Sequence, residues 1–379
     1  MKFELTPEQE LIRRTAREFA DKEIAPHAAQ WDREARFPAE VVAKLADLGF
    51  MGMFVPEPWG GAGLDTLTYA IAMEEISRGD ASCGVIMSVN NSLACWPILK
   101  FGSDAQKDRW LKPLAEGKHL GAYCLSEPQA GTDAAAQKTV ATPDGDGYTL
   151  NGTKNFITNG AHADTLIVFA MTDLAAGHKG ITAFVVDAKS PGVSVAKKEI
   201  KMGIRASDTA QIAFDDVKVE AVNRLGAVGE GFKIAMQTLD GGRIGIAAQA
   251  LGIAQSALEH ATAYAKEREQ FGRPIASFQA IQFKLADMAM RLDASRLLTY
   301  RAAWVKDSGA RHSKESAMAK LMASTTAVHC AEEAVQIFGG NGYSKEYPVE
   351  RLMRDAKICD IYEGTNEVQR MVIGAAVLA

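Results

Sequence analysis

The chain has 379 residues, 47% of them hydrophobic, and a formal net charge of −5 at pH 7. This length supports two or three packed domains, and the acidic balance disfavours a surface that binds duplex nucleic acid. The five cysteines include no CxxC pair and the seven histidines show no HExxH spacing, so we predict neither disulfides nor a metal site.

Both ends of the chain lack the pattern of a membrane segment. The first residues, MKFELTPEQELIRRTAREFA, carry charges throughout and contain no apolar run of the signal-peptide type. The C-terminal RMVIGAAVLA is apolar but only about half as long as a membrane-spanning helix. We therefore expect a soluble, cytoplasmic protein of bacterial type without membrane insertion.

Residues 1–119 are predicted to form an N-terminal α-helical domain. Thr6 at the N-cap and Pro7 at the first helical position mark the start of the first helix. A second apolar helical face ends at Gly49, and the proline- and glycine-rich segment 55–63 is predicted to be a loop. Helical texture then resumes up to the end of this domain.

Residues 120–228 are predicted to form a middle β-domain. Short runs of β-branched and aromatic residues alternate there with turns, a pattern that favours an antiparallel β-barrel. Asn151-Gly152 lies between two such runs and predicts a β-hairpin turn. Further strands are predicted in ADTLIVFAMT, GITAFVVDA, GVSVAKKEI and AQIAFDDVKV.

Residues 229–379 are predicted to form a C-terminal four-helix-bundle domain. Apolar residues recur at steps of three and four from Leu251 to Ala265 and from Ile281 to Thr299. A further long helix is predicted to end at Gly339, and two shorter helices flank Glu363. The predicted fold class is therefore α+β and multidomain.

The motifs that are absent disfavour several kinds of binding or catalytic site, and the motifs that are present point to one family. No GxGxxG follows a predicted strand, and no GxxxxGK[ST] or GxSxG occurs, which disfavours a Rossmann site, a P-loop and a nucleophile elbow. Five other segments occur in order: YCLSEPQAGTDA (123–134), FITNG (156–160), KEREQFGRPI (266–275), QIFGGNGY (336–343) and IYEGTNEVQR (361–370). Together they resemble the acyl-CoA dehydrogenase family over essentially the whole chain, and MQTLDGGRIGIAAQALGIAQSALEHA is most similar to its short-chain, butyryl-CoA-like branch.

The resemblance implies FAD as cofactor and a short- to medium-chain acyl-CoA thioester as substrate. Family members remove a proton from Cα and transfer a hydride from Cβ to flavin N5, which gives the trans-2-enoyl-CoA. The electrons then pass to electron-transferring flavoprotein. The resemblance also implies a homotetramer, a dimer of dimers, in which the loop matching Gln336–Gly340 reaches the FAD of a neighbouring subunit.

Glu363 matches the catalytic base of the family. Burial raises the proton affinity of a carboxylate, whereas the N-terminus of the following helix lowers it. We expect burial to dominate once substrate is bound. The alternative is an ordinary first-turn acid, a role that suits Glu367 better. The backbone N–H of Glu363, with a ribityl hydroxyl of FAD, would polarise the thioester carbonyl.

Other positions match the family's cofactor contacts. Phe156 stands where most relatives have Trp, and a plain core aromatic is the alternative for it. Arg268 suits bidentate contact with the pyrophosphate, a solvated charge being its alternative. The matched positions are Tyr123, Cys124, Leu125, Ser126, Thr132, Phe156, Ile157, Thr158, Arg268, Phe271, Gln279, Gln336, Ile337, Gly339, Gly340, Thr365, Asn366 and Glu367.

The resemblance also implies substrate contacts. The matched positions are Thr132, Asp240, Arg243, Tyr362 and Gly364. Some relatives carry their base at the position of Gly242, so Glu363 has no rival here. The side chains that close the acyl pocket are not evident from the sequence, and a short branched-chain dehydrogenase acting on isobutyryl- or 2-methylbutyryl-CoA stays an alternative.

Other activities on the same fold fit less well. Acyl-CoA oxidases are longer, nitroalkane-oxidising relatives carry Asp at the position of Glu363, and monooxygenase relatives lack the acid. A glutaryl-CoA decarboxylating enzyme needs a cation in the acyl pocket, which the sequence does not identify. A further alternative is a flavin-containing DNA-binding stress protein, which would need a basic surface, whereas this chain is net acidic.

Overall fold

The computed structural model describes residues 4–379, beginning with a group of helices that precedes a sheet. Three π-helical segments, Ala20–Ile24, Val89–Cys95 and Lys107–Leu111, join successive α-helices of this group. The α-helices are Pro7–Phe19 (α1), Ala25–Glu34 (α2), Ala39–Asp47 (α3), Thr66–Gly79 (α4), Ala81–Ser88 (α5), Trp96–Phe101 (α6), Asp104–Gln106 (α7) and Lys112–Ala115 (α8).

The start of α1 follows the predicted pattern. Thr6 is the N-cap, and its hydroxyl accepts from the N–H of Gln9 while the Gln9 side chain accepts from the N–H of Thr6. Pro7 occupies the first helical turn. A backbone N–H there has no acceptor within the helix, so the N–H that proline lacks is not missed. The predicted helix start is therefore confirmed.

An eight-stranded sheet follows the first helices, as predicted. Its hydrogen-bonded order is β6-β7-β3-β2-β4-β5-β8, and β1 pairs with β4. Most pairs are antiparallel, but β1 and β2 both run parallel to β4, so the sheet is mixed rather than wholly antiparallel. The strands are Gly121–Cys124 (β1), Val140–Asp144 (β2), Gly147–Thr158 (β3), Thr165–Met171 (β4), Ile181–Asp187 (β5), Val193–Lys198 (β6), Thr209–Glu220 (β7) and Arg224–Leu225 (β8).

The hairpin predicted at Asn151-Gly152 is wrong, because β3 runs straight through both residues. The turn lies earlier, where Gly145 has a φ of 60° between the paired residues Asp144 and Gly147. Gly152 instead allows a close backbone approach, since a Cβ there would lie 2.7 Å from Thr139 Cα. A dipeptide pattern alone does not distinguish a turn from a site of close packing.

Strand β4 joins the sheet to the helices. Every residue of β4 is buried. Ile167 and Phe169 pack into the core shared with the helices, whereas Leu166 and Val168 pack into the core of the sheet itself. Burial on both faces explains why this strand is an unbroken apolar run rather than an alternating one.

Long helices form the rest of the chain, as predicted. The seam on α10 is confirmed, because Met288, Leu292, Ser295 and Thr299 are all buried. An opposite row on α10, spaced by seven residues, is exposed: Phe283, Met290, Leu297 and Trp304. The helices are Gly231–Glu267 (α9), Gln279–Asp307 (α10), Ser313–Phe338 (α11), Val349–Cys359 (α12) and Asn366–Leu378 (α13), and a short hairpin, Glu269–Gln270 (β9) with Arg273–Pro274 (β10), follows α9.

Candidate active site

Glu363 lies on the turn between α12 and α13. It has a φ of 51°, which is an uncommon backbone conformation for a residue with a side chain. Thr365 caps α13 by accepting from the N–H of Val368, so Glu363 precedes the helix and Glu367 is the acid of the first turn. The alternative of an ordinary first-turn acid therefore fits Glu367, which is exposed.

The Glu363 carboxylate is poised to accept a proton. Its Oε2 is shielded from solvent and has no hydrogen-bond partner within residues 4–379. Burial raises the pKa of this carboxyl to about 8, although the charges of Arg243 and Lys320 oppose the rise. Burial thus dominates already in the chain without substrate, and a carboxylate with such a proton affinity suits general-base chemistry.

Helix α9 contacts this carboxylate through Gly242. A Cβ at position 242 would lie 2.1 Å from Glu363 Oε2 and 2.9 Å from Leu93 Cδ2. Any side chain at 242 would displace the carboxylate, so glycine is required by close approach rather than by backbone conformation. Position 242, where some relatives carry an acid, therefore lies directly against the Glu363 carboxylate.

One turn further along α9 the space is closed. A Cβ at Gly245 would lie 2.5 Å from Ser88 Oγ and 2.7 Å from the Tyr69 hydroxyl, and that hydroxyl donates to Ser88 Oγ at 3.1 Å. One turn beyond Gly245, the hydroxyl of Tyr362 donates to Gln249 Oε1. The space beside α9 is therefore filled at Gly245, roughly 5 Å along the helix axis from Gly242.

Asp240, Arg243 and Gly364, three of the predicted substrate residues, lie beside Glu363. Buried Arg243 donates to Asp240 Oδ1 at 2.7 Å, and Asp240 Oδ2 accepts from Ser313 Oγ at 2.5 Å. Arg243 Nη2 would lie 3.8 Å from a Cβ on Gly364, whose φ is 90°. The structure therefore brings Asp240, Arg243 and Gly364 together with the predicted base.

A second group of predicted residues meets at β1 and the bulge in β3. Leu125 and Ser126 continue from β1, and Ser126 O accepts from the N–H of Asn155 at 2.8 Å. Phe156 has a φ of 57° where the register of β3 shifts against β7, and its side chain is 65% exposed. Phe156 is therefore not a core aromatic, and its ring is free to stack on a flat ligand.

These elements fit a flat cofactor with polar edges. The N–H groups of Ser126, Gly131 and Thr132 make no hydrogen bond within residues 4–379, and space beside Gly131 is open. Tyr123, on β1, donates to the carbonyl of Ala235 on α9 at 3.2 Å. Free backbone donors beside an exposed aromatic ring suit the isoalloxazine ring of FAD.

Some predicted contacts lie in the protein core. The side chains of Cys124, Ile157 and Ile337 are buried among apolar residues, so only their backbone is available to a cofactor. Asn366 is buried and bonded to Lys320, Ser324 and Asp360. Thr158 is half-buried at the end of β3.

The remaining predicted cofactor residues lie far from Glu363. Arg268, Phe271, Gln279 and Gln336 are exposed, as are Gly339 and Gly340. The loop after α11 is tied to the end of α9, because Phe338 stacks on Tyr264 at 4.0 Å and Asn341 Nδ2 donates to the Tyr264 hydroxyl at 2.9 Å. Helical rise along α9 separates Arg243 from Arg268 by roughly 35 Å.

A buried ion pair that the sequence did not reveal lies beneath Leu125. Lys154 has no exposed surface, and its Nζ donates to Glu127 Oε1 at 2.7 Å, Gln137 Oε1 at 3.1 Å and Leu125 O at 3.1 Å. Glu127 also accepts from the N–H groups of residues 138 and 139. No local signal marks a lysine in a strand as buried, although Gly242 and Gly245 inside a helical pattern do signal close packing.

Neither a metal cluster nor a membrane-spanning helix occurs within residues 4–379. Residues 4–379 contain no group of three or more His, Cys, Asp or Glu side chains arranged to hold a metal ion. All five cysteines are free and buried. Between residues 4 and 379, no helix combines the length and apolarity required to cross a bilayer.

Three family profiles match the chain in succession. The acyl-CoA dehydrogenase N-terminal domain matches residues 6–118, the middle domain 122–217 and the C-terminal domain 229–378. The mitochondrial short-chain specific acyl-CoA dehydrogenase of Bos taurus is 55% identical over 375 residues, which cover 99% of this chain and 91% of that protein.

Solved structures agree with these matches. The structure of butyryl-CoA dehydrogenase from Megasphaera elsdenii is 52% identical, with a TM-score of 0.99 and 100% of both chains covered. A chain in a structure described as the electron transferring flavoprotein of Acidaminococcus fermentans gives the same identity, TM-score and coverage.

Proposed function

Because the chain belongs to the acyl-CoA dehydrogenase family, whose members oxidise a CH–CH bond, we propose that it converts a short-chain acyl-CoA to the trans-2-enoyl-CoA with Glu363 as the base. The unpartnered, buried carboxylate of Glu363 carries this proposal. A thioester α-proton requires a base with raised proton affinity in a site that excludes water.

The same loop also supplies a donor for the thioester oxygen. The backbone N–H of Glu363 makes no hydrogen bond within residues 4–379. A donor fixed on a turn stabilises developing enolate charge with little reorganisation. Arg243, held by Asp240, keeps a positive charge near the ionised form of the base.

We propose that FAD binds against the exposed ring of Phe156 and the free N–H groups of Ser126, Gly131 and Thr132. When bound, FAD supplies the acceptor for the β-hydride. Ser126 follows Tyr123 just beyond β1, and the Glu363 charge adds to the rise in the pKa of Tyr123 that burial causes. This proximity supports a position for the flavin near the base.

Arg268 follows the far end of α9 and Gln336 lies near the end of α11 beside it, so both are too far from Glu363 to reach the same FAD from one chain. We therefore propose that they contact the FAD of a second copy, in a tetramer built as a dimer of dimers. The exposed apolar row on α10 supports such an assembly. Electron-transferring flavoprotein is the proposed acceptor, supported by the match to a chain from such a structure, and the bacterial relatives support a cytoplasmic location.

The proposed Arg268 contact predicts a binding defect without a folding defect. Arg268 is exposed and its side chain has no partner within residues 4–379, so Arg268→Ala should leave the thermal midpoint of the apoprotein unchanged. Loss of a charged hydrogen bond should raise the dissociation constant of FAD roughly 10- to 100-fold, measured by fluorescence titration. Arg14→Ala, an exposed position on α1, is the matched control, and equal FAD affinity in both variants would remove Arg268 from the site.

The close packing of Tyr69 and Ser88 against Gly245 predicts the chain length of the substrate. Longer acyl chains must displace Tyr69 and Ser88, and overpacking of this kind costs about 1–3 kcal/mol. We expect the purified protein to be yellow and butyryl-CoA to bleach its flavin anaerobically, with octanoyl-CoA roughly 10- to 100-fold slower.

The measurement is a series from C4 to C16 together with isobutyryl-, 2-methylbutyryl- and glutaryl-CoA. Bleaching that is fastest with a branched thioester would replace the straight-chain assignment. Bleaching by none of them would refute the function.

A further inference from the structure

Lys320 is a buried cation beneath the loop that carries Glu363. It lies on α11 with no exposed surface. Its Nζ donates to the carbonyl of Gly364 at 2.9 Å and to Asn366 Oδ1 at 3.1 Å. Lysine is almost never fully buried without such partners, so these two hydrogen bonds to the loop account for the burial of Lys320.

Asn366 links the same loop to two other elements. Its Oδ1 also accepts from Ser324 Oγ at 2.9 Å, and its Nδ2 donates to Asp360 Oδ1 at 2.7 Å. The side chain of Gln369 donates to Gly364 O at 2.8 Å. The turn from Asp360 to Asn366 is therefore tied down on both sides of Glu363, which holds the residue in its left-handed backbone conformation.

The charge of Lys320 also acts on Glu363. Burial raises the pKa of this carboxyl, and the charges of Arg243 on α9 and Lys320 on α11 oppose that rise. Burial lowers the pKa of Lys320 itself to about 8, so the ammonium is mostly present at neutral pH. Without it, burial would act on Glu363 with less opposition and a larger fraction of the carboxyl would be protonated. The titratable groups that face this pair are Tyr69 on α4, Tyr123 on β1, Cys359 at the end of α12, and Asp360 and Tyr362 in the loop.

We propose that Lys320 is a positioning residue that fixes the loop presenting Glu363 and keeps its carboxylate ionised enough to act as the base. The inference rests on the proposed function, since it assigns Lys320 to the same reaction. Both hydrogen bonds of Lys320 Nζ go to the loop, to the carbonyl of Gly364 and to Asn366 Oδ1. Lys320 acts entirely through the position and charge of Glu363.

The test compares Lys320→Met, which removes the charge, with Lys320→Arg, which keeps it, and Ser324→Ala, which removes one bond to Asn366. The protonated Glu363 carboxyl is titrated by infrared difference spectroscopy of the FAD-loaded protein, and Glu363→Gln identifies its band. In Lys320→Met the Glu363 carboxyl should titrate at higher pH than in the wild type. In Lys320→Arg and Ser324→Ala it should titrate close to the wild-type pH. Each pH unit of displacement lowers the ionised fraction at neutral pH about tenfold.

Flavin reduction by butyryl-CoA, followed against pH, gives the second measurement. In Lys320→Met the acid limb of this rate profile should shift to higher pH by the same amount as the infrared titration of Glu363. An unmoved band and limb in folded Lys320→Met, or an equal displacement in Lys320→Arg, would overturn the proposal. If Lys320→Met does not fold, Lys320→Gln replaces it under the same criteria. A flavin that no acyl-CoA reduces refutes the function instead, and the infrared titration still decides the part played by Lys320.

Discussion

Glu363→Gln should retain FAD and lose roughly 10²- to 10⁴-fold in the rate of flavin reduction by butyryl-CoA, the range for a general base. Glutamine preserves the shape of the side chain but has no useful proton affinity. The carboxylate has no hydrogen-bond partner within residues 4–379, so its replacement breaks no bond and folding should be unaffected. Stopped-flow absorbance under anaerobic conditions measures the rate.

The pH dependence sharpens this expectation. Only the ionised carboxyl accepts a proton, and burial raises its pKa to about 8. The wild-type rate should therefore rise about tenfold per pH unit below that value and level off above it, whereas this limb should be absent in Glu363→Gln. Glu367→Gln, four residues along the chain and exposed, is the control and should behave as wild type. Near-normal reduction in Glu363→Gln would refute the assignment of the base.

Lys154→Met should lower the free energy of unfolding by about 3–5 kcal/mol, because it leaves the Glu127 carboxylate buried without its cation. Burial opposes ionisation of Glu127, yet the Lys154 charge and the N–H of Lys138 hold the pKa of that carboxyl below its usual value. The released carbonyl of Leu125 lies in the segment proposed to face the flavin, so affinity for FAD should also fall. Urea unfolding and FAD titration measure the two effects.

Two comparisons isolate the buried charge. Lys218→Met removes an exposed ion pair with Asp144 from the same sheet and should change the stability far less, because solvent screens such a pair. Adding Glu127→Gln to Lys154→Met removes the stranded charge and should recover part of the loss. A Lys154→Met protein as stable as Lys218→Met would show that the buried pair adds nothing.

The sequence predicted the order of the elements because their periodicities are long and regular. The α10 seam and the cap of α1 involve residues close together in the chain, and local patterns specify such contacts well. The family resemblance identified Glu363, Asp240 and Arg243, and the structure brings these three residues together. It also matched Arg268 and Gln336, which the structure places at the opposite end of α9.

What the sequence did not reveal depends on contacts between distant segments. Lys154 is buried because it pairs with Glu127, and Lys320 because it bonds to Asn366; both partners come from other elements. The residue spacing within a single helix or strand does not predict such contacts. Phe156 is exposed because β3 bulges against β7, which a strand pattern cannot show. The Asn151-Gly152 prediction failed for the same reason, since Thr139 determines the role of Gly152.

The contact between Gly242 and Glu363 restricts how the catalytic acid can migrate during evolution. An acid at 242 together with Glu363 would place two carboxyl groups in collision, and like charges so close cannot both ionise. Losing Glu363 first leaves an enzyme without a base. Every single-step path between the two arrangements would therefore cross an impaired intermediate.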